Sequence, residues 1–102
     1  MTANTTNHND ITHAALLLDI YVHNTESIYK NYIEPTIKDA TAAIKAGAMV
    51  DITAKVAAAV NAGVIFTRRY EHTTPGAADI AAVEQSLTAY IIEAAQSNAI
   101  AA

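Results

Sequence analysis

The chain has 102 residues, 52% of them hydrophobic, with 6 Lys and Arg against 10 Asp and Glu for a formal net charge of −4. That length builds one domain around one core, and the acidic balance argues against a general nucleic-acid binder, whose footprint is basic. Cysteine is absent, which excludes disulfides, thiolate chemistry and cysteine-held metal centres.

The patterning predicts an all-α protein of about four helices, a helical hairpin or bundle with a flexible N-terminal arm. The arm covers residues 1–9, a single helical domain covers 10–97, and an Ala-rich tail covers 98–102. The arm is rich in Thr and Asn and has no apolar period, so alone it cannot offset its ordering entropy. Nothing in it resembles a signal peptide, and no apolar run is long enough to span a bilayer.

A first helix is expected from about Asp10 to His23, capped by Asn9 or Asp10. Ile11, Ala14, Ala15, Leu18, Tyr21 and Val22 follow the 3-and-4 spacing of one face. A second runs from about Thr25 to Ala46, with Asn24 or Thr25 as cap. Its seam is Ile33, Ile37, Ala40 and Ile44. Pro35 lies inside that pattern and lacks an N–H, so a kink or a break near Glu34 is expected. Gly47 provides the stop.

A third helix runs from about Asp51, its N-cap, to Tyr70. Ile52, Val56, Ala59, Val60, Gly63, Phe66 and Tyr70 share one side. Gly63 costs ~1 kcal/mol there against alanine unless it lets another backbone come close. A fourth follows Thr74 as cap and Pro75 as first helical residue. Its stripe is Ile80, Val83, Leu87, Tyr90, Ile91 and Ala94. The second and fourth helices should form the main seam. No segment alternates with period two, so strands are not expected.

The chain holds 23 alanines but only 4 leucines and 1 phenylalanine. An alanine buries far less area than a leucine. A lone copy would be marginal, and self-association would cover the apolar faces left over.

Candidate sites are few. The pairs Asp10–His13 and Asp19–His23 are spaced to share helix faces, but no third ligand converges on them, so solvated pairs are preferred over a metal site. No Gly-x-Ser-x-Gly elbow and no Gly-rich phosphate loop occurs, and carboxylates are scattered. No catalytic, cofactor or metal residue is therefore assigned, and no cofactor is expected. Arg68 and Arg69, next to Tyr70, form the one basic cluster. Lys30, Lys38 and Lys45 interleave with Glu26, Glu34 and Asp39, which favours a salt-bridged solvated face over a nucleic-acid stripe. Tyr29 and Tyr32, like Tyr21, read as half-buried core or interface residues with wet hydroxyls. Tyr29, Tyr32, Arg68, Arg69 and Tyr70 are the candidate interaction residues.

Tyr21, Val22, Asn24, Ile28, Tyr29, Pro35, Ile37, Lys38, Lys45, Gly47, Asp51, Ala62, Gly63 and Tyr70 make the stretch from Asp19 to Tyr70 resemble a group of small uncharacterised helical proteins of tailed phages and related mobile elements. The resemblance covers about half the chain. It implies a phage origin and a helical fold, and it carries no chemistry. In this chain alanines replace that group's lysines in the third helix, which weakens any nucleic-acid role for it.

The reading that follows is a non-enzymatic phage structural or assembly component acting through homo-oligomeric helix packing. Its partners would be further copies of itself or another phage or host protein, with nucleic acid unfavoured and no membrane. Its place would be the virion or the host cytoplasm. The alternative is a small phage-encoded binding module that inhibits or retunes a host protein.

Overall fold

A computed structural model describes residues 12–101, and the arm expected over 1–9 lies outside them. The described residues form α1 (His13–Asn24), α2 (Glu26–Ile28), a π-helical turn (Tyr29–Ile33), α3 (Glu34–Lys45), α4 (Thr53–Glu71) and α5 (Ala77–Ala101), with no strand among them. α2, the π-turn and α3 make one unbroken helical run, so the all-α, four-helix expectation holds.

Each helix end has a local cause. Thr12, not Asn9 or Asp10, caps α1: its hydroxyl accepts from the Ala15 N–H, with backbone in the extended region. Thr25 is one extended residue between α1 and α2. Its N–H donates back to the Tyr21 carbonyl, and its carbonyl accepts from Tyr29. α3 ends at Gly47, which has φ 71°. The Ala48 N–H reaches the Ala43 carbonyl and the Gly47 N–H reaches the Ile44 carbonyl, a Schellman closure that only glycine adopts without cost.

Pro35 does not break the helix. The ladder widens just before it instead, and the Glu34 N–H donates to the Tyr29 carbonyl, five residues back. The extra residue per turn lets the chain pass the missing N–H of Pro35. The Thr36 hydroxyl then donates to the Tyr32 carbonyl, which satisfies a polar side chain that is 2% exposed.

α4 starts one residue later than expected and α5 two. Asp51 precedes the cap position, which Ile52 holds, and its carboxylate accepts from the Thr53 N–H. Pro75 stays outside α5 and is buried. The Gly76 carbonyl accepts the first helical bond, from Ile80. The Asp79 carboxylate reaches back to the Gly76 N–H at 2.8 Å, half of a capping box. α5 also includes Asn98–Ala101, residues the sequence analysis places in a tail.

Helix directions follow from named contacts. Thr12 bonds Asp79 at one end of α1, and eleven residues further along both segments His23 meets Tyr90. α1 therefore runs parallel to the first half of α5. Further on, Ile44 and Lys45 of α3 share a hollow with Gln96, Ala99 and Ile100 of α5. One 25-residue helix thus backs α1 and α3 in tandem. α4 runs antiparallel to α1, with Gly63 beside Val22 and Leu18.

The core lies between these helices. Leu18, Val22, Ile33, Val60, Leu87 and Ile91 are each at most 1% exposed. Burial of each stabilises by about 1.5–3 kcal/mol. Ile37 and Val83 are also buried, whereas Ile44 and Ile80 pack on the core's edge. α3 and α5 make the most extensive helix pairing, so the expected seam is present. Tyr70 and Tyr90 depart from it: each completes an apolar stripe in sequence, yet they are 57% and 44% exposed.

Candidate interaction surfaces

Tyr29 and Tyr32 sit on the π-turn, each just over a third exposed. The widened turn and Pro35 shape a shallow groove of ≈ 300 Å³ between this run and the N-terminal half of α4. Asn31, Tyr32, Pro35, Ala54, Lys55 and Ala58 line it. Lys55 is not free there, because its ammonium pairs with Asp39 of α3. Lys30 pairs with Glu26 at 3.2 Å, as a salt-bridged face requires. Asp39 turns to α4 instead of a lysine of its own helix.

Arg68, Arg69 and Tyr70 occupy the last turns of α4, all exposed. The helix C-terminus is the favourable end for cations. Both arginines border a shallow hollow with Ile65, itself 53% exposed. Tyr70 stacks on Phe66 at 6.0 Å and on Tyr21 at 6.4 Å, with rings within 18° of parallel. The Tyr21 hydroxyl donates to the Glu71 carboxylate at 2.7 Å. That bond, with some loss of solvent and the nearby Glu71 charge, raises the Tyr21 pKa above the ordinary phenol value.

The structure does not bring the two candidate sets together. Tyr32 lies beside Ala54 and Ala58, whereas Arg68 is ten residues further along α4, about 15 Å at 1.5 Å per residue. A nucleotide could not stack on Tyr32 and reach Arg68 with one phosphate.

A third surface was not legible as a site. α1 is apolar nearly all round, and its inner residues Ala15, Leu18 and Val22 are buried. On its outer side Leu16 and Ile20 remain 49% and 45% exposed, with Leu17 half-buried and His13 and Asn24 exposed at the ends. The signal in sequence is Leu16–Leu18, three leucines in a row, which no single helix face can hide. Between α1 and α5 runs an apolar cleft of ≈ 80 Å³ lined by Ala15, Leu16, Asp19, Ala82, Val83 and Ser86. Asp19 Oδ1 is shut off from solvent there without a hydrogen bond. His23 Nε2 lies 3.5 Å from it, longer than a hydrogen bond. The His23 ring meets Tyr90 edge-on at 5.4 Å.

Two carboxylates have lowered pKa values. Asp79 is held down by the Thr12 hydroxyl and the Gly76 N–H, and Asp51 by the Thr53 backbone N–H and then its side chain. Both serve helix starts. Among the described residues no three His, Asp or Glu side chains converge as a metal would need, and Asp10 of the Asp10–His13 pair lies outside them. No described helix is long and apolar enough to cross a membrane. Compared with protein-family models, curated proteins and solved structures, the chain matches none.

Proposed function

We propose that the protein is a non-enzymatic structural or assembly component that works by packing helix faces against other polypeptides, first of all further copies of itself. The observation that carries this reading is the outer side of α1. Helices apolar around most of their surface belong in interiors, and this one leaves Leu16 and Ile20 about half exposed. Contiguous exposed apolar side chains mark contact surfaces more than catalytic ones. The resemblance to small phage-encoded proteins gives the assembly a setting, a virion or an intermediate on the way to one.

A second reading, a module that binds and retunes a host protein, draws on the end of α4. Ile65, Arg68, Arg69 and Tyr70 are all exposed there. Tyr and Arg are the residue types that dominate binding hot spots.

Light scattering behind size exclusion, run over a wide concentration range, tests the lead reading. A mass that climbs above one chain, and that Leu16→Glu or Ile20→Glu returns to one chain, supports it. A constant 10.8 kDa species at millimolar concentration, with one stoichiometric host protein captured through Arg68 and Arg69, supports the second.

A further inference from the structure

We infer that the C-terminal end of α4 docks an acidic polypeptide segment carrying an apolar anchor, held by Arg68, Arg69 and Ile65. This rests on the binding-module reading above and names the chemistry of the partner.

Arg68 and Arg69 are the only arginines of the chain, and they are adjacent; its lysines stand singly at Lys30, Lys38, Lys45 and Lys55. The last turn of a helix favours any cation, so lysine would serve there equally well. Arginine adds a planar fork that grips a carboxylate through two parallel hydrogen bonds.

Neither guanidinium takes part in an ion pair among the described residues. The one carboxylate of α4 is Glu71, three residues past Arg68, a spacing at which opposite charges pair on a helix. It turns to α1 instead and accepts the Tyr21 hydroxyl at 2.7 Å. The contact between α1 and α4 thus removes from the arginines the counter-charge that their own helix carries.

Ile65 lies three and four residues before the two arginines, so all three share one face within about 6 Å along the helix axis. They border a single hollow of ≈ 380 Å³. A helical segment with Asp or Glu one turn away from a large aliphatic side chain would satisfy the three together. Nucleic acid fits this face less well. Tight binding to a phosphate backbone needs many cations in a row, and the net charge of −4 repels a polyanion at longer range. A phosphate backbone also offers no aliphatic contact to Ile65.

Random short peptides displayed on yeast, selected on the full chain and counter-selected on the Arg68→Ala, Arg69→Ala double variant, test this. Enriched peptides should carry Asp or Glu three or four positions from a large apolar residue. Resynthesised and labelled, they should bind the double variant roughly tenfold or more weakly, because truncating one side of a hydrogen-bonded charge pair is costly. The Arg68→Glu, Arg69→Glu chain should reject them and accept the same sequences with lysine in place of the acids. Circular dichroism checks that each variant keeps its helix content. Arginine-dependent binding of a single-stranded oligonucleotide tighter than that of any selected peptide would overturn the acidic polypeptide. Enriched peptides that need Ile65 but ignore both arginines would overturn it too, while leaving the module reading standing. No enrichment over the double variant and no effect of Ile65→Ala would remove both.

Discussion

Gly63 of α4 faces Val22 of α1 with no room for a side chain between them. A Cβ built on Gly63 would stand 2.5 Å from Val22 Cγ2 and 3.1 Å from Leu18 Cδ1. The mid-helix glycine is therefore the condition for the α1–α4 approach, and the helix-propensity cost of about 1 kcal/mol is offset by that packing. The carbonyl of Gly63 is used as well, since it accepts from the buried Thr67 hydroxyl at 2.9 Å.

Two effects oppose each other in Gly63→Ala. Helix propensity favours alanine by about 1 kcal/mol, and overpacking costs about 1–3 kcal/mol. With Val22 Cγ2 at 2.5 Å, overpacking wins and urea unfolding should show a net loss. Val22→Ala in the same chain should cost less than the two single changes added together, because it vacates the clashing position. A Gly63→Ala chain as stable as the parent would show that α1 and α4 are not this close.

The two left-handed residues at helix ends predict opposite signs. Gly47 has φ 71° and His72 has φ 52°. Gly47→Ala forces a Cβ into that region and should cost about 1–2 kcal/mol. His72→Gly relieves the same strain, less the added chain entropy, and should stabilise by up to about 1 kcal/mol. Thermal unfolding of both variants checks the pair. Two shifts of the same sign would contradict the backbone assigned to one of them.

Asp79 links stability to acid. The Thr12 hydroxyl and Gly76 N–H hold its carboxylate below the usual value. A carboxylate with a depressed folded-state pKa contributes stability that is present above its unfolded value of about 3.9 and is lost as pH falls through the folded value. Asp79→Asn should flatten the stability curve in that acid window and leave its shape near neutrality unchanged. Urea midpoints taken across the acid range would read this directly. An unaltered acid limb would mean the Thr12–Asp79 tie between the starts of α1 and α5 is absent in solution.

Tyr21 does the reverse at the alkaline end. Its pKa is raised, chiefly by donation to Glu71. The stability it adds is complete below the ordinary phenol value of about 10 and disappears as pH climbs through the raised one. An absorbance titration should show one tyrosine ionising later than the rest. Tyr21→Phe should delete that late step, and Glu71→Gln should move it toward the others. A late step that survives in Tyr21→Phe belongs to another ring.

Leu87 and Leu16 separate core from surface. Leu87 is fully buried, so Leu87→Ala should cost about 2–5 kcal/mol. Leu16 is half exposed, and Leu16→Ala should cost a dilute single chain much less, since surface changes usually stay within about 0.5 kcal/mol. Chemical denaturation at low protein concentration compares them. Equal losses would mean that Leu16 is already covered within one chain.

Much of the helical layout was legible in the residues themselves. Period 3.6, the absence of alternation, Gly47 as a stop and the apolar stripes of α3 and α5 are consequences of local propensity and of which side chains repel water. Those forces act within a few residues and are present in any copy of the chain. Three things were decided only by folding. Where a kink or a break was expected at Pro35, the run continues through a π-turn, with the Glu34 N–H reaching five residues back just before the lost N–H. Tyr70 and Tyr90 left their stripes, since the core was already filled by smaller aliphatics and tyrosine keeps a wet hydroxyl. The outer ridge of α1 became a surface because α4 and α5 flank that helix and leave its third side open. Which side stays open depends on how distant helices pack, and no window of sequence contains that information.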